Sequence, residues 1–250
     1  YELIMNIDKI FNNLKFKVGP KENYRKAYLF RLKKGLYKIF NKEKEYIFNN
    51  CQISKNIENL NLKKILLGID SGMSSYANGH IINQICKQLS PSQIYLNIGC
   101  WKGFSLVAGM IDTTCKVIGV DNFSQFSGPH DEFLKNFNKH KKEGIHHFYE
   151  EDYKIFFKNF EKKNQKIDFY FYDGDHSYKD HYDNLEIADN FLYRGSIVMI
   201  DDINAPQVEN ATKDFINRSI SKYKIIKEMK TANTNSHPSY WNGIMILEKK

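Results

Sequence analysis

The stretch YLNIGCWKGFSLVAG, from Tyr95 to Gly109, is the most informative part of this 250-residue chain for predicting its fold. It consists of a short apolar run, a turn that contains Gly99 and Gly103, and a second apolar run. A short apolar run that ends at glycine is typical of a buried strand, and we predict a helix from about Phe104. Ligands of parallel sheets bind at the carboxyl ends of the strands, so this turn lies where a ligand is expected.

The same rhythm of apolar runs and helical patterns continues from about residue 81 to the C-terminus. One helical pattern, at residues 181–192, is predicted to end at Arg194-Gly195. Alternating strands and helices predict an α/β fold with a doubly wound, mostly parallel sheet. The predicted strands are IYLNIG, KVIGVD, HHFYEED, KIDFYFYDGD, SIVMIDD, KYKIIKEM and NGIMILEK.

The charge of the chain divides it into two parts. Residues 1–70 contain 15 Lys and Arg against 7 Asp and Glu, whereas the rest contains 22 of each. We therefore predict a basic, mostly helical N-terminal extension at residues 1–70 and a neutral catalytic domain at 71–250. A nucleic-acid enzyme usually concentrates positive charge around its active face, so this distribution argues against a nucleic-acid substrate.

Cysteine usage and hydropathy indicate a cytoplasmic protein. The four cysteines form no CxxC pair, which suits a reducing compartment and argues against a zinc ribbon. No apolar run is long enough to predict an integral membrane segment, and no secretory signal is recognisable.

The segment ENYRKAYLFRLKKGLYKIF, residues 22–40, predicts a helix. Apolar side chains recur in it every four residues and form one stripe. We favour packing of this stripe on the body of the protein, with the lysines in water. The alternative is contact with an anionic surface or with a partner subunit, which includes a second copy of the chain. The stripe consists of Tyr24, Tyr28, Leu32, Leu36 and Phe40.

An acidic residue follows the glycine turn at the spacing that nucleoside-binding folds use. KVIGVD ends in Asp121, about twenty residues past the turn, where nucleoside-binding folds place a carboxylate on the ribose hydroxyls. The alternative is that Asp121 caps the next turn or helix. The turn and the acid together predict a nucleoside-containing cofactor.

A second group of acids follows two later strands. FYFYDGDHSY supplies Asp173, Asp175 and His176, and SIVMIDD supplies Asp201 and Asp202. Carboxylates gathered at one sheet edge need protons or a cation to coexist, and oxygen ligands of this kind suit Mg²⁺. The alternative is that some of them, Asp175 and Asp202 in particular, cap the following helices.

In these motifs the sequence resembles the class I S-adenosylmethionine-dependent methyltransferases. The DGDH motif makes it most similar to the small-molecule O-methyltransferases related to macrocin O-methyltransferase. The resemblance extends from about Gly72 to the C-terminus and rests on IGCWKG, VDNFSQF, the EED segment, YDGDHSY and IDD. It implies a seven-stranded sheet of order 3-2-1-4-5-7-6 whose last strand is antiparallel.

The resemblance also implies a role for each position around the cofactor. The glycine turn would line its methionine and ribose parts, Asp121 would hold the ribose, and Asp152 would lie near the adenine amine. Many relatives have an acid where this chain has Asn97, which accepts a hydrogen bond but supplies no charge. The cofactor residues expected from the resemblance are Asn97, Gly99, Cys100, Gly103, Asp121, Asn122, Phe123 and Asp152. The loop GMSSYANG at 72–79, which we expect to close over the cofactor, adds Met73 near the methionine end.

For the chemistry, the resemblance implies a divalent ion held by Asp173, Asp201 and Asp202. The ion would stabilise a deprotonated hydroxyl of the acceptor. Either Asp175 or His176 would take the hydroxyl proton, and the pKa of a histidine suits this role near neutral pH.

The sequence thus predicts an enzyme that transfers a methyl group from S-adenosylmethionine to a hydroxyl of a small metabolite or sugar, assisted by Mg²⁺. Tyr240 and Trp241 are candidate walls of the acceptor pocket. One alternative is a metal-free methyltransferase with His176 as the base. Another is a non-catalytic protein of the same fold that acts in binding or assembly.

Overall fold

The computed structural model describes residues 5–22, 24–40, 42–55, 57–69, 73–220, 222–232 and 236–250. Of residues 24–28, 30 and 31 it describes the backbone alone. The strands are β1 (Leu14–Phe16), β2 (Cys51–Ile53), β3 (Ile94–Ile98), β4 (Lys116–Asp121), β5 (His146–Glu150), β6 (Ile167–Tyr172), β7 (Leu192–Ile200), β8 (Tyr223–Met229) and β9 (Ile244–Lys249). The helices are α1 (Ile7–Asn12), α2 (Tyr24–Ile39), α3 (Glu43–Phe48), α4 (Leu60–Gly68), α5 (Tyr76–Cys86), α6 (Phe104–Met110), α7 (His130–His140), α8 (Tyr153–Glu161), α9 (Tyr178–Asp189) and α10 (Pro206–Arg218).

A seven-stranded sheet of order β5-β4-β3-β6-β7-β9-β8 forms the centre of the protein. Its first five strands in chain order, β3 to β7, are parallel, and β9 runs antiparallel to both of its neighbours. Every residue of the central strands β3 and β6 is buried, as expected for strands covered by helices on both faces. The predicted α/β fold and its strand order are confirmed.

Helices cover both faces of this sheet and create two apolar cores. One core contains side chains of α5, α6 and α7, and the other contains side chains of α8, α9 and α10. The alternation of strand residues between the two faces supplies both cores from the same strands. Because the strands from β3 to β7 are parallel, they all end at one edge of the sheet, where the loops that follow them meet.

The N-terminal part joins the first of these cores. Ile10, Leu14, Phe48 and Leu62 pack in the same apolar cluster as α5 and α6. The described part of this segment contains helices α1 to α4 and also the antiparallel pair β1–β2, which was not predicted because each strand has only three residues. The predicted boundary at residues 70 and 71 lies outside the described residues.

Two predictions about helices are wrong. The apolar stripe of the N-terminal helix does not pack on the body, because Leu32, Leu36 and Phe40 are all exposed; the side chains of Tyr24 and Tyr28 lie outside the described residues. Helix α9 does not reach Arg194-Gly195, since it ends at Asp189 and β7 begins at Leu192. The strand continues there because Leu192 pairs with Ile167 of β6. Among the described helices, none combines the length and the apolar character that a membrane crossing requires.

Candidate active site

A cleft of about 850 Å³ opens at the carboxyl edge of the sheet, between the loops that follow β3, β4, β6 and β7. Its volume is in the range of small-molecule sites. Most of the residues predicted for the cofactor and for catalysis line it, whereas Asn97, Cys100 and Gly103 do not. Those that line it are Met73, Gly99, Asp121, Asn122, Phe123, Asp152, Asp173, Asp175, His176, Asp201 and Asp202.

The glycine turn after β3 packs directly against the loop after β6. Gly99 has a φ of +83°, and a Cβ there would lie 1.9 Å from the carbonyl oxygen of Asp173. Any side chain at this position would therefore force the two loops apart. Gly103, with a φ of +89°, precedes α6 as its N-terminal cap. Gly99 is thus needed where two loops of the protein meet, in addition to its place beside the cleft.

Asp121 holds the glycine turn in place from the neighbouring strand. Its Oδ2 accepts hydrogen bonds from the backbone N–H groups of Cys100 at 2.7 Å and Trp101 at 2.8 Å. Its Oδ1 accepts one from the N–H of Phe123 at 2.7 Å. Because a carboxylate accepts about four hydrogen bonds, Asp121 retains capacity for a ligand in the cleft.

Asn97 lies behind the wall of the cleft. Its side chain is completely buried, its Oδ1 accepts a hydrogen bond from the Ser105 hydroxyl at 2.8 Å, and its Nδ2 donates to the Gly99 carbonyl at 3.1 Å. Cys100 is likewise buried, and its thiol points towards the Val120 carbonyl at 3.7 Å. In this structure both side chains support the turn from within.

The loop after β4 forms the opposite wall of the cleft. Asn122 caps this loop by accepting a hydrogen bond from the N–H of Ser124 at 3.1 Å. The ring of Phe123 packs against Phe133. Asp152 lines the cleft and also caps α8, where its Oδ1 accepts the N–H of Lys154 at 2.8 Å.

Strained backbone is concentrated around the cleft. Several non-glycine residues that line it have the left-handed conformation, which is unfavourable for residues with a Cβ. Such conformations persist where the surrounding structure holds them, and they cluster at functional sites. These residues are Trp101, Phe123, Phe126, Asp202 and Trp241.

The acids that follow β6 and β7, which are Asp173, Asp175, Asp201 and Asp202, form an acidic rim of the cleft. Asp173 and Asp202 of this rim converge with His176. The Nε2 atom of His176 lies 3.0 Å from Oδ2 of Asp202 and 3.7 Å from Oδ1 of Asp173. One ligand atom from each residue falls within 4.8 Å of the others. Asp201 is outside this group: its side chain is buried, and its Oδ1 accepts the N–H of Asp202 at 3.0 Å. The group that the structure brings together thus contains His176 in place of the predicted Asp201.

The charges of this group depend strongly on one another. The polar contact with Asp173, and the charges of Asp173 and Asp202, raise the pKa of His176 to about 9 although burial opposes the shift. Burial raises the pKa of Asp173, and it raises the pKa of Asp201 well above the usual range of a carboxyl. In this state His176 is an imidazolium at neutral pH, contrary to the expectation that its pKa lies near neutrality.

Asp175, the other candidate base, lies at the exposed rim. Its Oδ1 accepts the N–H of Ser177 at 2.7 Å, and its Oδ2 accepts a hydrogen bond from Gln125 at 2.7 Å. The hydrogen bonds from Ser177 lower the pKa of Asp175 below its usual range. The residue therefore stabilises the loop before α9, as the capping alternative predicted.

The cleft as a whole is strongly acidic. Eight carboxyl side chains line it, and none of the described lining residues is Lys or Arg. Such an environment favours cations, including a sulfonium or a divalent metal ion, and disfavours acceptors that carry phosphate or carboxylate groups. The acids are Asp121, Glu151, Asp152, Asp173, Asp175, Asp180, Asp201 and Asp202.

Some lining residues escaped the sequence analysis. Asp180 accepts hydrogen bonds from the hydroxyls of Tyr153 at 2.9 Å and Tyr172 at 3.3 Å, and all three line the cleft. No sequence signal joins them, because they come from two helices and a strand. Of the two candidate pocket walls, Trp241 lines the cleft, but Tyr240 is buried in the core against Phe16.

Comparisons with known proteins agree with this architecture. Residues 96–203 match the model of a family described as a methyltransferase domain. An O-methyltransferase from Bacillus cereus, solved in complex with S-adenosylhomocysteine, is 13% identical over 77% of this chain and 92% of its own, with a TM-score of 0.58. A methyltransferase from Podospora anserina, also bound to S-adenosylhomocysteine, is 12% identical over 77% of this chain and 89% of its own, with a TM-score of 0.56. No curated protein is significantly similar in sequence.

The sheet order, the cleft at its carboxyl edge and the family model define the class of this protein. It is a methyltransferase with the class I S-adenosylmethionine-dependent fold. The matched segment begins within β3 and ends just after Asp202. It therefore includes the glycine turn, Asp121 and the acidic rim.

Proposed function

We propose that this enzyme binds S-adenosylmethionine in the cleft and transfers its methyl group to a hydroxyl of a small acceptor. The glycine turn and Asp121 would hold the methionine and ribose parts. Asn122, Phe123 and Asp152 lie along the wall where the adenosine would extend. The structurally similar enzymes that contain S-adenosylhomocysteine support this assignment of the cofactor.

The observation that carries the proposal is the convergence of Asp173, His176 and Asp202 at one point of the cleft. Two carboxylates and an imidazole fit a divalent cation, and the pKa of the nearby Asp201, which burial and the charges of Asp173 and Asp202 raise, reflects the negative potential at this point. The imidazole favours Mn²⁺ or a similar ion over the all-oxygen environment typical of Mg²⁺. A bound ion would supply Lewis acidity to the acceptor oxygen.

The protein residues would then orient the acceptor and accept its proton. Asp173 and Asp202 would fix the position of the acceptor oxygen relative to the sulfonium. His176 would accept the proton only as a neutral imidazole in the metal-free alternative; where it ligates the ion, Asp175, which is hydrogen-bonded to Ser177 and Gln125, is the remaining candidate. The absence of Lys and Arg from the described lining supports a neutral or cationic metabolite or sugar as the acceptor, and argues against nucleic acid.

We also propose that the enzyme belongs to the macrocin O-methyltransferase-like branch and acts in the cytoplasm. The DGDH motif supports the branch. The four buried free thiols support a reducing compartment.

The test is the formation of S-adenosylhomocysteine with a panel of hydroxylated metabolites and sugars, with chelator and after addition of Mg²⁺ or Mn²⁺. We expect chelation to abolish turnover and one of the two ions to restore it. Full turnover in the chelated enzyme would support the metal-free alternative with His176 as base. Tight binding of the cofactor without turnover of any acceptor would favour the non-catalytic alternative.

A further inference from the structure

Helix α2 exposes an apolar face that no other described residue covers. Leu29, Leu32 and Leu36 are 53%, 51% and 61% exposed, and Ile39 and Phe40 beyond them are 74% and 70% exposed. Spacings of three and four residues place these side chains on one side of the helix. Single exposed apolar residues are common on proteins, but a contiguous face of this kind marks an interaction surface.

The other side of α2 is attached to the body of the protein. The Nζ atom of Lys34 lies 2.7 Å from a carboxylate oxygen of Glu43 and 5.9 Å from the ring centre of Trp241. Tyr37 stacks on Tyr46 with ring centres 4.7 Å apart. These contacts hold the apolar face outward, since turning it inward would break them.

The charge of α2 indicates what covers this face. The helix contains six basic residues and no acidic residue. Lys33 is exposed beside the apolar side chains. A second copy of the chain would bring two such basic helices together, which electrostatic repulsion disfavours. An exposed apolar face on a helix rich in basic residues is typical of helices that lie in the interface of an anionic bilayer.

We propose that α2 docks this protein onto an anionic lipid surface. Leu29, Leu32 and Leu36 insert at the boundary of headgroups and acyl chains, and Lys33 beside them meets the lipid phosphates. Because Lys34, on the opposite side of the same helix, contacts Trp241, which lines the cleft, helix α2 lies close to the cleft mouth. The proposal does not depend on the identity of the acceptor.

Co-sedimentation of the full chain with vesicles tests it. Vesicles of phosphatidylcholine with phosphatidylglycerol should bind the protein, those of phosphatidylcholine alone should bind it poorly, and high salt should weaken binding. Leu32→Gln with Leu36→Gln should lower the partition coefficient about tenfold or more, because two apolar side chains no longer insert. The matched control is Ile155→Gln on α8, where an isoleucine of similar exposure, 53%, should make no difference.

The double variant must retain its affinity for S-adenosylhomocysteine and its circular dichroism, which shows that only the surface has changed. Equal binding of the double variant and Ile155→Gln to anionic vesicles would overturn the proposal, as would no binding of the parent protein. A dimer in solution that the double variant dissociates would also overturn it, because a second copy would then cover the face.

Discussion

Asp121 and Asp202 are carboxylates at the same edge of the same sheet, but the protein neutralises them in different ways. Asp121 accepts hydrogen bonds from three backbone N–H groups, two in the loop after β3 and one in its own loop after β4. Asp202 has Asp173 beside it and His176 as its partner. The first acid is satisfied by the backbone whether or not a ligand is bound. The second belongs to a group with surplus negative charge, which is the kind of site that a cation completes.

The largest effect should come from the acidic group. Asp202→Asn should lower the rate of methyl transfer by at least about a hundredfold, because several kcal/mol of stabilisation at the acceptor oxygen are lost. Calorimetry should show weaker binding of Mn²⁺ but an affinity for S-adenosylhomocysteine within about threefold of the parent. Asp131→Asn, at an exposed position of α7, is the control. Unchanged turnover in Asp202→Asn would remove the difference between the two acids.

The second effect tests the backbone-satisfied acid. Asp121→Ala should weaken the binding of S-adenosylhomocysteine by about 2–4 kcal/mol, since hydrogen bonds to a charged group are lost and the glycine turn loosens. Calorimetry measures the affinity, and thermal unfolding reports whether the variant remains folded. Binding of Mn²⁺ without cofactor should be unaffected. An unchanged affinity for S-adenosylhomocysteine in a folded variant would exclude Asp121 from the cofactor site.

A third effect separates two histidines five residues apart. Asp173 and Asp202 raise the pKa of His176, whereas burial lowers the pKa of His181 to about 3. The Nε2 atom of His181 lies 3.0 Å from the Thr212 hydroxyl. The unfolded chain binds a proton near pH 6.5 that the folded state refuses, so the free energy of unfolding falls as pH falls below 6.5. From pH 6.5 to 5, His181 accounts for about 1.6 kcal/mol of this loss.

Denaturant unfolding of His181→Gln at both pH values measures this contribution as a shallower loss of stability than in the parent. His80, His146 and His237 are also buried with lowered pKa values, so part of the acid sensitivity remains. An identical pH dependence in parent and variant would mean that His181 does not remain neutral in the folded protein.

The smallest effect concerns the hydrogen bond between the loop that follows Asp121 and the loop that contains Asp173 and His176. The amide of Gln125, after β4, donates to Asp175, after β6, at an exposed position. Gln125→Ala should change the affinity for S-adenosylhomocysteine by less than about 1 kcal/mol, because exposed hydrogen bonds contribute little. A larger effect in calorimetry would show that the loops after β4 and β6 bind the cofactor as one unit through this hydrogen bond.

Local sequence was sufficient for the architecture. Apolar runs of strand length, glycine turns and capping residues lie within a few positions of one another, so their pattern identified the strands from β3 to β9. Their order was implied by the resemblance to the class I methyltransferases. It was insufficient for the pair β1–β2, where three-residue strands leave no periodicity to detect. It also misplaced the start of β7, because Leu192 becomes a strand residue only by pairing with Ile167.

For the site, the sequence alone determined which acids and glycines reach the carboxyl edge, since each follows its strand directly. Only the tertiary structure decided their partners. His176 lies between Asp173 and Asp202. Asp175 accepts hydrogen bonds from Ser177 and Gln125 instead, and Asn97 is buried behind the glycine turn. The tertiary structure also turned the apolar face of α2 outward. The reason is physical: a strand fixes where its last residue lies, but charge compensation and burial depend on side chains that packing brings together from distant parts of the chain.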